Sequence, residues 1–178
     1  MRLISIDPYW TSAGLKFVVV MVPNTGPDAK SWWWYFGIDS AMVVNYVKQN
    51  NAILVSARPY LDNGQLRYVA VMVENTEGLV WDWCVKCTTA TIESHFKSQG
   101  LHVSTFHPNP LGDWDAIMVT YKGGAWYWWG GISSSELLNN VVAHKTRLID
   151  LTTYIWNGVR YYGGVELGDN VGPQFSEK

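Results

Sequence analysis

The sequence predicts an α+β fold: tandem β-β-β-α units with antiparallel strands, three complete and a fourth that stops after its hairpin, packed as one pseudo-symmetric, propeller- or barrel-like domain. Three observations predict it. A Trp-x-Trp segment occurs three times, beginning at Trp32, Trp81 and Trp126. Self-similarity at a period of roughly 20–50 residues marks repeated units that bury a common face against one another. Each Trp-x-Trp runs into a helix start, and each unit opens with two apolar runs joined by a turn. Hairpins alternating with one-sided helices give α+β rather than a parallel sheet.

The first strand of each unit is read at residues 2–6, 53–57, 102–106 and 147–151. Turns follow at 12–14, 62–64, 111–113 and 156–158; Asn63-Gly64 and Asn157-Gly158 signal tight hairpins, because such turns require positive φ. The second strand is read at 16–22, 67–73, 114–119 and 160–165, with Arg160-Tyr161 matched to Arg67-Tyr68. The Trp-x-Trp segment is the third strand, and alternation sets Trp32 with Trp34, Trp81 with Trp83 and Trp126 with Trp128 on one face.

Helices begin at Asp39, Thr88 and Ser133, all good N-caps, and Ser133-Ser134-Ser135-Glu136 is a capping box. Val43 and Val47, Ile92 and Phe96, and Leu137 and Val141 supply an apolar i, i+4 stripe in each. Gly100 or the Asn50-Asn51 pair ends the helix. The units are therefore 1–51, 52–100, 101–145 and 146–167 of a single domain, with a polar, loosely held tail at 168–178.

Composition narrows the functional classes. A chain of 178 residues, 48% hydrophobic, is long enough for a sizeable core and is not disordered. A net charge of −2 without a basic cluster offers no footprint for nucleic acid. The N-terminus lacks the apolar core of a signal peptide, and the apolar run from Phe17 to Val22 is too short to span a bilayer. The expectation is a soluble protein, cytoplasmic or secreted by a route without a visible signal peptide. The outlier is 11 Trp and 10 Tyr, side chains that fill cores and also serve as stacking platforms with a polar handle.

The run Trp126-Tyr127-Trp128, Gly131-Ile132-Ser133-Ser134, Arg147-Leu148-Ile149-Asp150-Leu151, Tyr154, a turn, and Arg160-Tyr161 before an apolar strand resembles the bacterial tandem repeat domain. That repeat also makes up much of the N-terminal half of fungal polyglycine hydrolases. The resemblance is closest from Trp126 to Val165 and extends in weaker copies over nearly the whole chain. Lys86 departs from it at a helix-start glycine, and Asn109 departs at the tyrosine seen as Tyr9, Tyr60 and Tyr154. The hydrolases carry their serine nucleophile in a separate β-lactamase-like domain, for which this chain has no room. The resemblance implies a non-catalytic module.

Catalytic patterns are few. Ser94-His95-Phe96-Lys97 satisfies Ser-x-x-Lys in letters, but it falls inside the second helix and no Lys-Thr-Gly partner exists. Cys84 and Cys87 form a lone C-x-x-C, read as core thiols because no second ligand pair accompanies them. His95, His102, His107 and His144 occupy four different places in the repeat and show no metal-ligand spacing. Asp82, Asp115 and Asp150 are acids that could meet in space. No catalytic residue, metal or cofactor is expected.

Binding residues are sought among aromatics that do not recur and among hairpin tips, where loops carry function. The candidates are Tyr9 and Trp10, Tyr60 with Asp62 and Asn63, Tyr154 with Trp156 and Asn157, and Trp33 on the outer strand face. A flat aromatic beside Asp or Asn suits a sugar, stacking on its C–H face and bonding its hydroxyls. The leading reading is a Trp-rich, lectin-like module for a glycan or glycoconjugate. The alternative is a peptide- or protein-binding accessory module, which exposed aromatics would serve equally well.

Overall fold

The computed structural model describes residues 1–121 and 123–168. A first hairpin, β1 (Arg2–Thr11) and β2 (Gly14–Val22), leads through a short 3-10 turn to β3 (Trp32–Ile38), α1 (Ser40–Gln49), β4 (Ala52–Asp62) and β5 (Gln65–Glu74). The order strand, helix, hairpin then returns twice. It runs as β6 (Trp81–Cys87), α2 (Thr89–Gln99), β7 (Leu101–Pro108) and β8 (Trp114–Thr120), and as β9 (Trp126–Ile132), α3 (Ser134–His144), β10 (Arg147–Trp156) and β11 (Val159–Leu167). The polar tail, apart from Gly168, lies outside the described residues.

The predicted α+β class and antiparallel pairing are observed. The strands form four separate sheets, β1-β2, β3-β5-β4, β6-β8-β7 and β9-β11-β10. A barrel-like closure is not what forms, because hydrogen bonding in each sheet stops after two or three strands. Pairing is also offset from the units read in sequence. Each Trp-x-Trp strand joins the second strand of the hairpin that follows its helix, not of the hairpin before it. The helix explains the choice: Val43 and Val47 of α1 are buried with Ile38 of β3, Ala52 and Leu54 of β4, and Tyr68, Ala70 and Met72 of β5. Strand, helix and following hairpin thus share one apolar cluster.

Two irregularities recur in the pairing. Every hairpin shifts register once in its first strand, between Leu3 and Ser5, Leu54 and Ser56, Val103 and Thr105, and Leu148 and Asp150. Each Trp-x-Trp strand bulges before its last residue, where Gly37, Lys86 and Gly131 take positive φ. Such bulges fix register and re-aim side chains. They also correct one match made in sequence: Tyr162, not Tyr161, stands opposite Ile132 as Tyr68 stands opposite Ile38. Counting from the turn glycines Gly64 and Gly158 would have found it.

The helix starts are as expected. Asp39 accepts from the N–H of Met42 at 2.8 Å, Thr88 accepts from Thr91 at 3.2 Å, and Ser133 and Glu136 form a complete capping box. Gly100 and Lys145 end α2 and α3 in the left-handed conformation. The Trp-x-Trp residues pack on the hydrophobic clusters, half-buried, except Trp34, which is largely exposed. Cys84 and Cys87, expected as thiols, are joined in a disulfide across the β6 bulge. No helix among the described residues is long and apolar enough to cross a membrane.

Candidate functional site

The bulge in each Trp-x-Trp strand turns a backbone N–H out of the ladder, and a side chain from the neighbouring hairpin takes it up. The Tyr60 hydroxyl accepts from Gly37 N–H at 2.9 Å, and the Tyr154 hydroxyl bonds the backbone of Gly131 in the same way. Where Asn109 replaces the tyrosine, Asp115 accepts from Lys86 N–H at 2.9 Å and is itself held by Asn109 at 2.9 Å. Burial pushes the Tyr60 and Tyr154 phenols and the Asp115 carboxyl up from their ordinary values. Tyr60 is therefore a buried latch, not an exposed sugar platform, and this corrects its expected role.

Trp33 is corrected too: it packs, half-buried, against the α1 cluster. Asn63 and Asn157 hold φ of 48° and 49° in their turns, and Asn63 donates to Asp62 at 3.1 Å. Trp10 lies across the neighbouring tip, its indole N–H donating to the carbonyl of Leu61 at 3.3 Å, with one side in solvent. Tyr9 is exposed without a hydroxyl partner among the side-chain hydrogen bonds of its hairpin.

Of these candidates, Tyr154 and Trp156 share a cavity. It is a groove of about 620 Å³ between the third and fourth hairpin tips. Trp156 and Ile155, each 66% exposed, line it together with the half-buried Tyr161. Trp114 forms the floor, with Tyr154 edge-on to it at 5.4 Å between ring centres. Asp113, held at φ 57°, and the backbone of Pro110 and Gly112 supply the polar rim. This is an apolar platform beside the Asp113 side chain, while the Asp113 carbonyl and the Gly112 N–H are taken up by Asn109 within the loop.

A second cavity, of about 580 Å³, opens where the first strands of all four hairpins approach one another. The bulged residues Ile4, Val55, Ser104 and Ile149 line it, and Arg58 lies at one end. Arg58 forms ion pairs with Asp7 at 3.0 Å and with Asp150 at 3.2 Å, donating to Asp150 through Nη2, and lies against His107. Asp150 also accepts from Phe106 N–H at 2.9 Å. Burial, reinforced by Arg58, drives the His107 pKa well below its ordinary value, so the ring is neutral. Burial raises the Asp150 pKa against the opposing pull of Arg58.

Sequence reading overlooked Arg58 and Asp7. Their signal is positional: Asp7, Arg58, His107 and Thr152 occupy the same register place in four first strands. Arg58 lies within ion-pair or contact distance of Asp7, His107 and Asp150, so the cluster ties the four hairpins together.

The remaining reactive side chains are dispersed. Ser94 Oγ donates to the Thr91 carbonyl at 2.7 Å, and Lys97 pairs with Glu93 along α2. Asp82 pairs with His95 at 2.9 Å, away from the partners that hold Asp115 and Asp150. Among the described residues, no group of three or more His, Cys, Asp or Glu is placed to hold a metal ion. No protein-family model matches the chain, and no curated protein matches it closely enough to indicate kinship.

Proposed function

We propose that this protein is a non-catalytic carbohydrate-binding module whose site is the groove at the third and fourth hairpin tips. The observation that carries the reading is the exposed Trp156 lining one groove with Asp113, Trp114 and the half-buried Tyr161. A pyranose ring stacks its C–H face on the indole and directs hydroxyls to the carboxylate and the backbone carbonyls. The reading includes a finer view of the fold, in which the four sheets are blades of one pseudo-symmetric array of the bacterial tandem repeat type. The matched bulges and the convergence of the four first strands support it. Trp10 at another tip is then a weaker, secondary platform.

The test is a glycan array with the labelled protein, followed by calorimetric titration of the best ligand. Trp156→Ala should weaken binding about tenfold, the worth of one aromatic platform. Because Trp156 is 66% exposed, its loss should leave stability within about 0.5 kcal/mol of the parent. A blank array from folded protein, or binding indifferent to Trp156, rejects the reading.

A further inference from the structure

Among the described residues, one edge of the first hairpin, that of β2, is left bare. By pairing, β2 occupies in the first hairpin the place that β5 holds in the second. Pro8 faces Phe17 as Pro59 faces Tyr68, Ile6 faces Val19 as Ala57 faces Ala70, and Leu3 faces Met21 as Leu54 faces Met72. On β5 these residues carry β3 along the edge and α1 across the face; β8 carries β6 and β11 carries β9 in the same way. Among the described residues, β2 carries neither strand nor helix beyond its pairing with β1.

The exposure measures what is missing. Val18, Val19, Val20 and Met21 are 58, 46, 50 and 42% exposed, whereas Val69, Ala70, Val71 and Met72 are all 0%. Tyr9 faces Lys16 as Tyr60 faces Arg67, which makes it the latch tyrosine of a hairpin that has no bulge to latch. Beside it, Phe17, Trp34 and Phe36 form an aromatic cluster with ring centres 5.6–6.1 Å apart, and Trp34 and Phe36 are 42 and 55% exposed. Solvent-facing edges are ordinarily guarded by charge, proline or short length. The run Val18-Val19-Val20-Met21-Val22 has no such guard.

We propose that β2 is a docking edge for a strand-and-helix segment of the Trp-x-Trp type, which adds as the third strand of the first sheet. The molecule defines the chemistry of the occupant by three worked examples. It is a Trp-x-Trp strand ending in a positive-φ bulge, followed by an N-capped helix with an apolar i, i+4 pair. The bulge N–H donates to the Tyr9 hydroxyl, and the helix stripe covers Val19, Met21 and the Phe17–Trp34–Phe36 cluster. A second folded copy does not meet this description, because its three Trp-x-Trp strands are already paired.

The experiment is fluorescence anisotropy of a labelled synthetic peptide with the sequence of residues 125–145, titrated with the full chain. Saturable binding is expected. A V19K/M21K variant, altered only at exposed positions, should weaken it at least tenfold. Tyr9→Phe should weaken it about fivefold, the net worth of one hydrogen bond. A peptide carrying Trp126→Ala and Trp128→Ala should not bind.

Absence of saturable binding, or binding unaffected by V19K/M21K, overturns the proposal. So does a concentration-dependent dimer in light scattering that V19K/M21K abolishes while no peptide is bound, since the edge then belongs to a second copy. Retention of the parent thermal midpoint by each variant shows that it is folded. The outcome is independent of the sugar reading, because Trp156 is not part of this surface.

Discussion

A backbone N–H turned out of its ladder must find another acceptor, and the latch residues show how one need is met by different side chains. Tyr60 and Tyr154 use a phenol hydroxyl, and Asp115 uses a carboxylate. Tyr60→Phe keeps the ring and deletes the bond, so it should cost about 1 kcal/mol in urea unfolding. Tyr9→Phe, with no bond to lose, should cost less than about 0.5 kcal/mol. His107 sets a second expectation at this scale. Its folded pKa is depressed, so the unfolded chain binds the extra proton, and stability falls as pH drops below about 6.5. Half-buried His102 acts in the same direction, whereas Asp115 and Asp150, with raised pKa values, oppose it at lower pH. His107→Gln should flatten the loss of stability between about pH 6.5 and 5.5; an unchanged slope in pH-resolved unfolding would refute this.

At the scale of elements, Lys86 stands out among the bulges. Its φ of 54° is shared by position with Gly37 and Gly131, and a side chain there carries left-handed strain. Lys86→Gly should therefore raise stability by about 0.5–1 kcal/mol, read as a higher thermal midpoint. What was legible in sequence was local. The caps at Asp39, Thr88 and Ser133 and the turns at Asn63-Gly64 and Asn157-Gly158 depend on a few neighbouring residues, and each formed as read. The partner of a Trp-x-Trp strand was not legible, because two hairpin edges of similar sequence flank it and only the burial of the helix stripe decides between them. Tyr60 was misjudged for a related reason: a tip tyrosine reads alike whether its hydroxyl meets solvent or a bulge. The exposure of Trp156 has a local cause, since an indole next to a tight turn has little to pack against.

At the scale of the molecule, Arg58 joins hairpins far apart in sequence through Asp7, His107 and Asp150. Removing the cation leaves the buried Asp150 carboxyl without its counter-charge. Arg58→Met should cost about 3–5 kcal/mol in chemical denaturation, and adding Asp150→Asn should recover part of that loss. Equal losses in the single and double variants would show that Arg58 stabilises by packing alone. The cluster escaped sequence reading because it draws one residue from each hairpin and no two of its members lie near each other in the chain.

The bare β2 edge has a consequence for the order of folding. β2 emerges before β3 and is separated from it by residues 23–31, whereas β5 follows only after α1 and β4. A newly made β3 thus meets a template of matching register before its native partner exists, and it must leave that template for the second sheet to form. Incorrect pairing of this kind is a kinetic trap. Refolding should show a slow phase that V19K/M21K removes while the native fold is retained, and a single phase common to both proteins would rule the trap out.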